Sequence, residues 1–149
     1  MENYAKTILE KTQIPENAVY EVYVVLIDKQ SNNISLNEAE RDVYLICNYE
    51  GEINNGGFDQ FFFNGYNSNL YNGEFVNLTK DALEKIKAYQ NAEFIDKAIN
   101  ITGDSVSGAE TDKQAEQLNE LDNLFYGYPE DLSQLQLTYI KEHIDSFVK

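Results

Sequence analysis

Asp112, Glu116 and Glu120 recur at every fourth residue. On a helix, side chains four apart lie about 6 Å apart along the axis, so these three form one acidic line. Glu110, Asp122, Glu130 and Asp131 extend it at both ends. From Asp104 to Asp131 there are eight acids and one base, Lys113. Such an array can offer a basic protein what it expects from phosphates, which each DNA strand presents about every 3.4 Å along its axis. The plainer reading is a solvated helix face. Like charges at this spacing cost only a few tenths of a kcal/mol each, a penalty a fold tolerates without any function. Glu38, Glu40, Asp42, Glu50, Glu52, Asp59 and Glu74 form a second acid-rich region against Arg41 alone.

Other chemistry is thin. His143 is the only histidine, and Ser146 stands three residues on, which is ordinary helix spacing. Cys47 is the only cysteine, so no internal disulfide can form. Zinc needs several His or Cys ligands. The stretch 67–73 lacks the carboxylates and closing Glu of a calcium loop. The sequence therefore points to no catalytic residue, no metal and no cofactor. With 26 acids against 11 bases, the formal charge is −15 and the pI near 4.2. Direct nucleic-acid binding needs clustered cations, and an anionic membrane disfavours the chain for the same reason. A basic protein is the favoured partner. Met1-Glu2-Asn3-Tyr4 carries no secretory pattern, and the longest apolar run, Val22 to Ile27, is too short to cross a bilayer. Cytoplasmic residence is expected.

A chain of 149 residues with 42% apolar side chains can build one real core, so a single domain over 1–149 is expected. Helical period appears over Asn3–Lys11 and over Pro15–Gln30, where Val19, Val22, Tyr23, Leu26 and Ile27 share a face. Val22 to Ile27 would also suit a buried strand. Ser35 and Glu38 have capping-box spacing, opening a helix to about Tyr49 with Leu36, Ala39, Val43, Ile46 and Cys47 inward. A loop is expected from Gly65 to Gly73. Helices follow over Asn77–Gln90 with Leu78, Ala82, Leu83, Ile86 and Tyr89 inward, and over Ala92–Ile101. The stretch 103–108 breaks the chain. Thr111–Phe125 carries Ala115, Leu118, Leu121, Leu124 and Phe125 in register. Asp131 caps a last helix with Leu135, Tyr139, Ile140, Ile144 and Phe147 inward. The fold class is all-α, with about seven to eight helices.

Between the third and fourth of these helices lies Asn54-Asn55-Gly56-Gly57-Phe58-Asp59-Gln60-Phe61-Phe62-Phe63-Asn64. The glycine pair permits a sharp reversal, because Gly takes positive φ cheaply. In a helix starting near Phe58, Phe58, Phe61 and Phe62 lie on one face while Phe63 points elsewhere. Asn55, Gln60 and Asn64 are placed to bond the backbone of the turn. The first N–H groups of that helix could hold a phosphate, but Glu50, Glu52 and Asp59 would repel it. The block is read as a structural corner.

Asn55, Gly56, Gly57, Phe58, Gln60, Phe61, Phe62 and Asn64 also resemble the signature of a bacterial family of small acidic helical proteins whose best-known member is a DNA mimic. Ala82-Leu83 followed by Ile86 resembles the same family, and the likeness spans about residues 15 to 145. The resemblance implies an all-helical fold, a homodimer, and occupation of the DNA-binding surface of a transcription factor. The resulting expectation is a non-enzymatic acidic protein that occludes a basic surface, using the 110–131 acids. Two alternatives stand beside it: an immunity or inhibitor protein that neutralises a basic toxin or nuclease, and an enzyme of unrecognised type. A deep pocket holding His143 with a carboxylate would favour the last, and a solid core there would count against it.

Overall fold

The computed structural model describes residues 1–103 and 108–149. Seven α-helices and no strand are found among these residues: α1 (Tyr4–Lys11), α2 (Pro15–Ser31), α3 (Glu38–Tyr66), α4 (Phe75–Lys85), α5 (Tyr89–Thr102), α6 (Asp112–Tyr126) and α7 (Leu132–Glu142). Short 3-10 turns cover Leu70–Gly73 and Ile144–Ser146. The expected all-α class holds. The break at 103–108 falls largely outside the described residues, with Asp104.

Local chemistry sets the helix starts. Asn3 accepts the Lys6 N–H at 2.9 Å, and Pro15 opens α2 where its missing N–H costs nothing. In α2 the buried positions Ala18, Val19, Val22, Leu26 and Lys29 follow the helical period, while Val24 and Ile27 are exposed. That resolves the strand alternative, and it moves the inward face off Ile27. The box that opens α3 lies two residues later than expected. Asn37, not Ser35, caps it, accepting from Glu40 N–H at 3.0 Å while Glu40 accepts from Asn37 N–H at 3.2 Å. A carboxamide at 37 with Glu three residues on satisfies the same geometry, and it leaves Glu38 outside the box. Tyr89 and Ala115 also prove exposed rather than inward, as α5 begins at Tyr89 and α6 turns Ala115 to solvent.

The central element is α3, which packs on α2, α4, α6 and α7, while α4, α5 and α6 follow one another around it. It is bent back on itself at Gly56–Gly57, where Gly57 has φ 74° and ψ −173°, a backbone region reserved for glycine. The fold-back is tight enough that Glu52 accepts hydrogen bonds from both Gln60 (2.9 Å) and Asn64 (2.7 Å). In an unbroken helix residues 52 and 64 would be about 18 Å apart. Phe58, Phe61 and Phe62 are fully buried and Phe63 is 55% exposed. Tyr49 meets Phe58, Phe61 and Phe125 edge-on at centroid separations of 6.2, 5.2 and 5.6 Å. Edge-to-face pairs of this kind contribute about 0.5–1.5 kcal/mol each beyond their buried area.

Two polar clusters lie inside this body. Glu40, 1% exposed, accepts from Lys29 Nζ at 2.6 Å and from the Tyr4 hydroxyl. Lys29 Nζ also donates to the Val148 carbonyl at 2.7 Å, fixing the last residues beside α1. Asp42, equally buried, accepts from Tyr139 Oη at 2.6 Å and pairs with Lys85 at 3.1 Å.

Candidate functional site

Helix α6 owes its position to both its ends and one flank. Thr111 and Gln114 form a capping box at its start, the Thr111 hydroxyl accepting the Gln114 N–H at 3.1 Å. Leu118, Leu121 and Phe125 bury its inner face. The Tyr126 hydroxyl donates to the Ile53 carbonyl at 2.9 Å, fastening its last turn to α3. Leu124 stands out, 56% exposed, although the helical period placed it inward. Leu121 and Phe125 already fill the buried arc, and Leu124 falls beyond its edge.

The outer face holds Asp112, Glu116 and Glu120, all exposed. No hydrogen bond or ion pair engages these three carboxylates among the described residues. The ion pairs lie elsewhere: Lys6–Asp145, Lys29–Glu40, Lys80 with Glu84 and Asp96, Lys85 with Glu38 and Asp42, and Lys97–Glu93. Glu110 is also exposed, just ahead of the helix, where its N–H donates to Gln114 at 2.8 Å.

The remaining acids of the expected face have internal partners. Asp122 accepts the Phe58 N–H at 2.9 Å and fills the space that Gly57 leaves for want of a side chain. An anion does therefore sit at the N-terminus of the phenylalanine helix, and it is the protein's own carboxylate. Glu130 accepts from the N–H groups of Gln90 (3.1 Å) and Asn91 (2.9 Å) and from the Asn91 side chain (2.7 Å), satisfying orphan donors at the start of α5. Asn91 passes the link on by accepting from Tyr49 Oη at 2.8 Å. Asp131 accepts the Gln134 N–H at 3.0 Å and caps α7. Asn55 donates to Gln60 at 3.2 Å, which in turn holds Glu52.

Sequence reasoning missed several of these roles. Asp59 accepts the Ala109 N–H at 2.7 Å, pinning the approach to α6. Tyr128, in the connection from α6 to α7, donates to Glu50 at 2.7 Å and accepts from Asn54 at 2.8 Å. Burial raises the Glu50 pKa, against the lowering effect of the Tyr128 bond, and Asp131 raises it further. A carboxyl whose folded pKa exceeds its unfolded value contributes its full stability below the unfolded value, and loses it as pH rises through the folded one. Glu50→Gln should therefore gain stability relative to the parent protein as pH is raised from about 5 to about 8, as read from urea midpoints at each pH.

His143 lies at one wall of a cleft of about 550 Å³ that Glu38, Lys85, Tyr139 and Ser146 also line. Histidine and carboxylate thus share a cleft, each with a partner of its own. His143 Nδ1 donates to the Tyr139 carbonyl at 3.0 Å, and Glu38 is held by Lys85 at 2.7 Å, which lowers its pKa. Cys47 is half-buried, its thiol pushed up by burial and donating to Gln136 at 3.3 Å, as an inert core thiol would be. Among the described residues no group of His, Cys, Asp and Glu is placed to hold a metal, and no helix is long and apolar enough to cross a membrane.

No curated protein and no solved structure matches the chain. One family does, described as DMP19-like protein, over residues 34–143. That span takes in α3 to α7 and is narrower at its start than the likeness expected from residue 15.

Proposed function

The chain belongs to the DMP19-like protein family, and from that premise we propose that it is a non-enzymatic acidic binding protein that occupies the basic surface of a DNA-binding protein, acting as a DNA mimic. The observation that carries this reading is the open line Asp112–Glu116–Glu120 on α6, which no cation of the protein engages among the described residues. Its spacing of about 6 Å is close to two charge steps of one DNA strand. The line stands on a helix fastened to α3 through Asp122 and Tyr126, so its spacing is held by the fold. Glu110 extends it at the N-terminal end. Asp122, Glu130 and Asp131 add negative potential nearby while serving as caps.

The test is capture of partners from the source cell at low and high salt, followed by competition of each captured protein against its DNA. A basic DNA-binding protein released by salt and displaced from DNA is the expected result, because exposed charges are screened over about 8 Å at physiological ionic strength. Asp112→Asn/Glu116→Gln/Glu120→Gln should leave the fold intact and weaken this capture roughly tenfold at low salt, with a flatter salt dependence. A partner held equally by the triple variant would remove α6 from the proposal. Capture that ignores salt would remove the mimicry itself.

A further inference from the structure

The acidic line does not end at Glu120. One turn on, at the same four-residue spacing, stands Leu124, 56% exposed. It borders a groove of about 310 Å³ between α5 and α6, where Ile101 and Leu121 form the apolar part and Asn100, Gln117 and Glu120 the polar part. Lys97 on the α5 side is held by Glu93 at 3.4 Å. A surface that copied phosphates alone would have no use for an exposed leucine and a partly apolar groove in line with its charges.

We propose that α6 and this groove receive a basic amphipathic helix of a partner protein, whose cations meet Asp112, Glu116 and Glu120 and whose aliphatic side chain enters beside Leu124. This rests on the acidic-line reading above and adds the partner's chemistry to it. The charge complementarity is periodic: cations on a partner helix four residues apart have the same axial rise as the α6 carboxylates. The aliphatic contact supplies what exposed charge pairs lack, an interaction that persists in salt. It also discriminates, since a basic surface without an aliphatic side chain one turn beyond its cations leaves the groove filled with water.

A synthetic helical peptide tests this, with arginines at four-residue intervals and a leucine one turn beyond each end, so that either chain direction can be met. Its counterpart has both leucines replaced by alanine. Binding of each is measured by fluorescence anisotropy to the parent protein, to Leu124→Ala and to Asp112→Asn/Glu116→Gln/Glu120→Gln, at low and high salt. The leucine peptide should bind the parent about tenfold more tightly than the alanine peptide, which corresponds to about 1.4 kcal/mol. That preference should persist at high salt and vanish in Leu124→Ala. Equal binding of the two peptides, steeply salt-dependent and lost in the triple variant, overturns the groove and leaves the acidic line standing. No binding of either peptide at low salt overturns both. Because the peptides differ while the protein does not, the result is independent of how Leu124→Ala folds.

Discussion

Replacing Gly57 with alanine should destabilise the protein by about 4 kcal/mol. The backbone there, at φ 74° and ψ −173°, is open only to glycine, and forcing an L side chain into it costs on the order of 1–3 kcal/mol. The new methyl would also run into the Asp122 carboxylate. Asp122 must then move, and the Phe58 N–H loses its charged acceptor, a further loss of about 1–3 kcal/mol for a buried donor left unpaired. Domains of this class are stable by only about 5–15 kcal/mol, so the variant should melt roughly 10 °C lower. Gly51→Ala is the matched control. Gly51 lies within α3, and nothing lies within 4 Å of the position its methyl would take. That substitution should stabilise by up to about 1 kcal/mol through helix propensity alone. Urea denaturation of both variants settles the matter. Equal behaviour of the two would mean that the bend does not depend on its glycine.

The second large effect is expected at the buried charge cluster. Glu40→Ala removes the carboxylate that neutralises Lys29 and leaves the ammonium with the Val148 carbonyl as its remaining acceptor. Breaking one side of a buried ion pair costs about 3–5 kcal/mol, most of it the penalty of an uncompensated charge. Lys29→Met together with Glu40→Gln should return to within about 2 kcal/mol of the parent, because neither charge then needs a partner, and the glutamine can accept from Asn37 through its oxygen and donate to the Tyr4 hydroxyl oxygen through its amide. Non-additivity is thus the signature, read from urea midpoints across the double-mutant cycle of Lys29→Met and Glu40→Gln, singly and together, with Glu40→Ala measured beside it. If the double variant is as unstable as Glu40→Ala, the loss stems from packing and not from charge.

These two sites also show where sequence reading stops. The phenylalanine block was legible because its causes are local, a glycine pair and rings at helical spacing; the amides were not, since Asn55, Gln60 and Asn64 bond side chains, Gln60 and Asn64 meeting at Glu52, and not the backbone of the turn. The acidic line on α6 was legible for the same reason, since an i, i+4 repeat needs only the helix to exist. Asp122, Glu130 and Asp131 looked like further members of that line because charge and position say nothing about which backbone N–H groups lie opposite. Asp122 is 64 residues from Phe58, and Glu130 is 39 from Asn91. Such pairings are settled only when α3, α5 and α6 come together. Lys29 did carry a signal, since it continues the stripe Val19, Val22 and Leu26. A lysine on an apolar stripe reads by default as a side chain reaching out to water. Its buried partner, Glu40, lies on another helix, so the stripe alone could not reveal the pair. Leu124 was misplaced in the opposite direction, because period alone does not say how wide the buried arc of α6 is.

The bend in α3 bears on how the chain finds its fold as well as on how it holds it. Tyr49, Phe58, Phe61 and Phe62 are brought together by a reversal that closes within a few residues, so little chain entropy is lost before the rings begin to meet. Contacts so near in sequence favour fast folding. Phe125 joins the same rings from α6, and closing that contact spans a far longer stretch of chain.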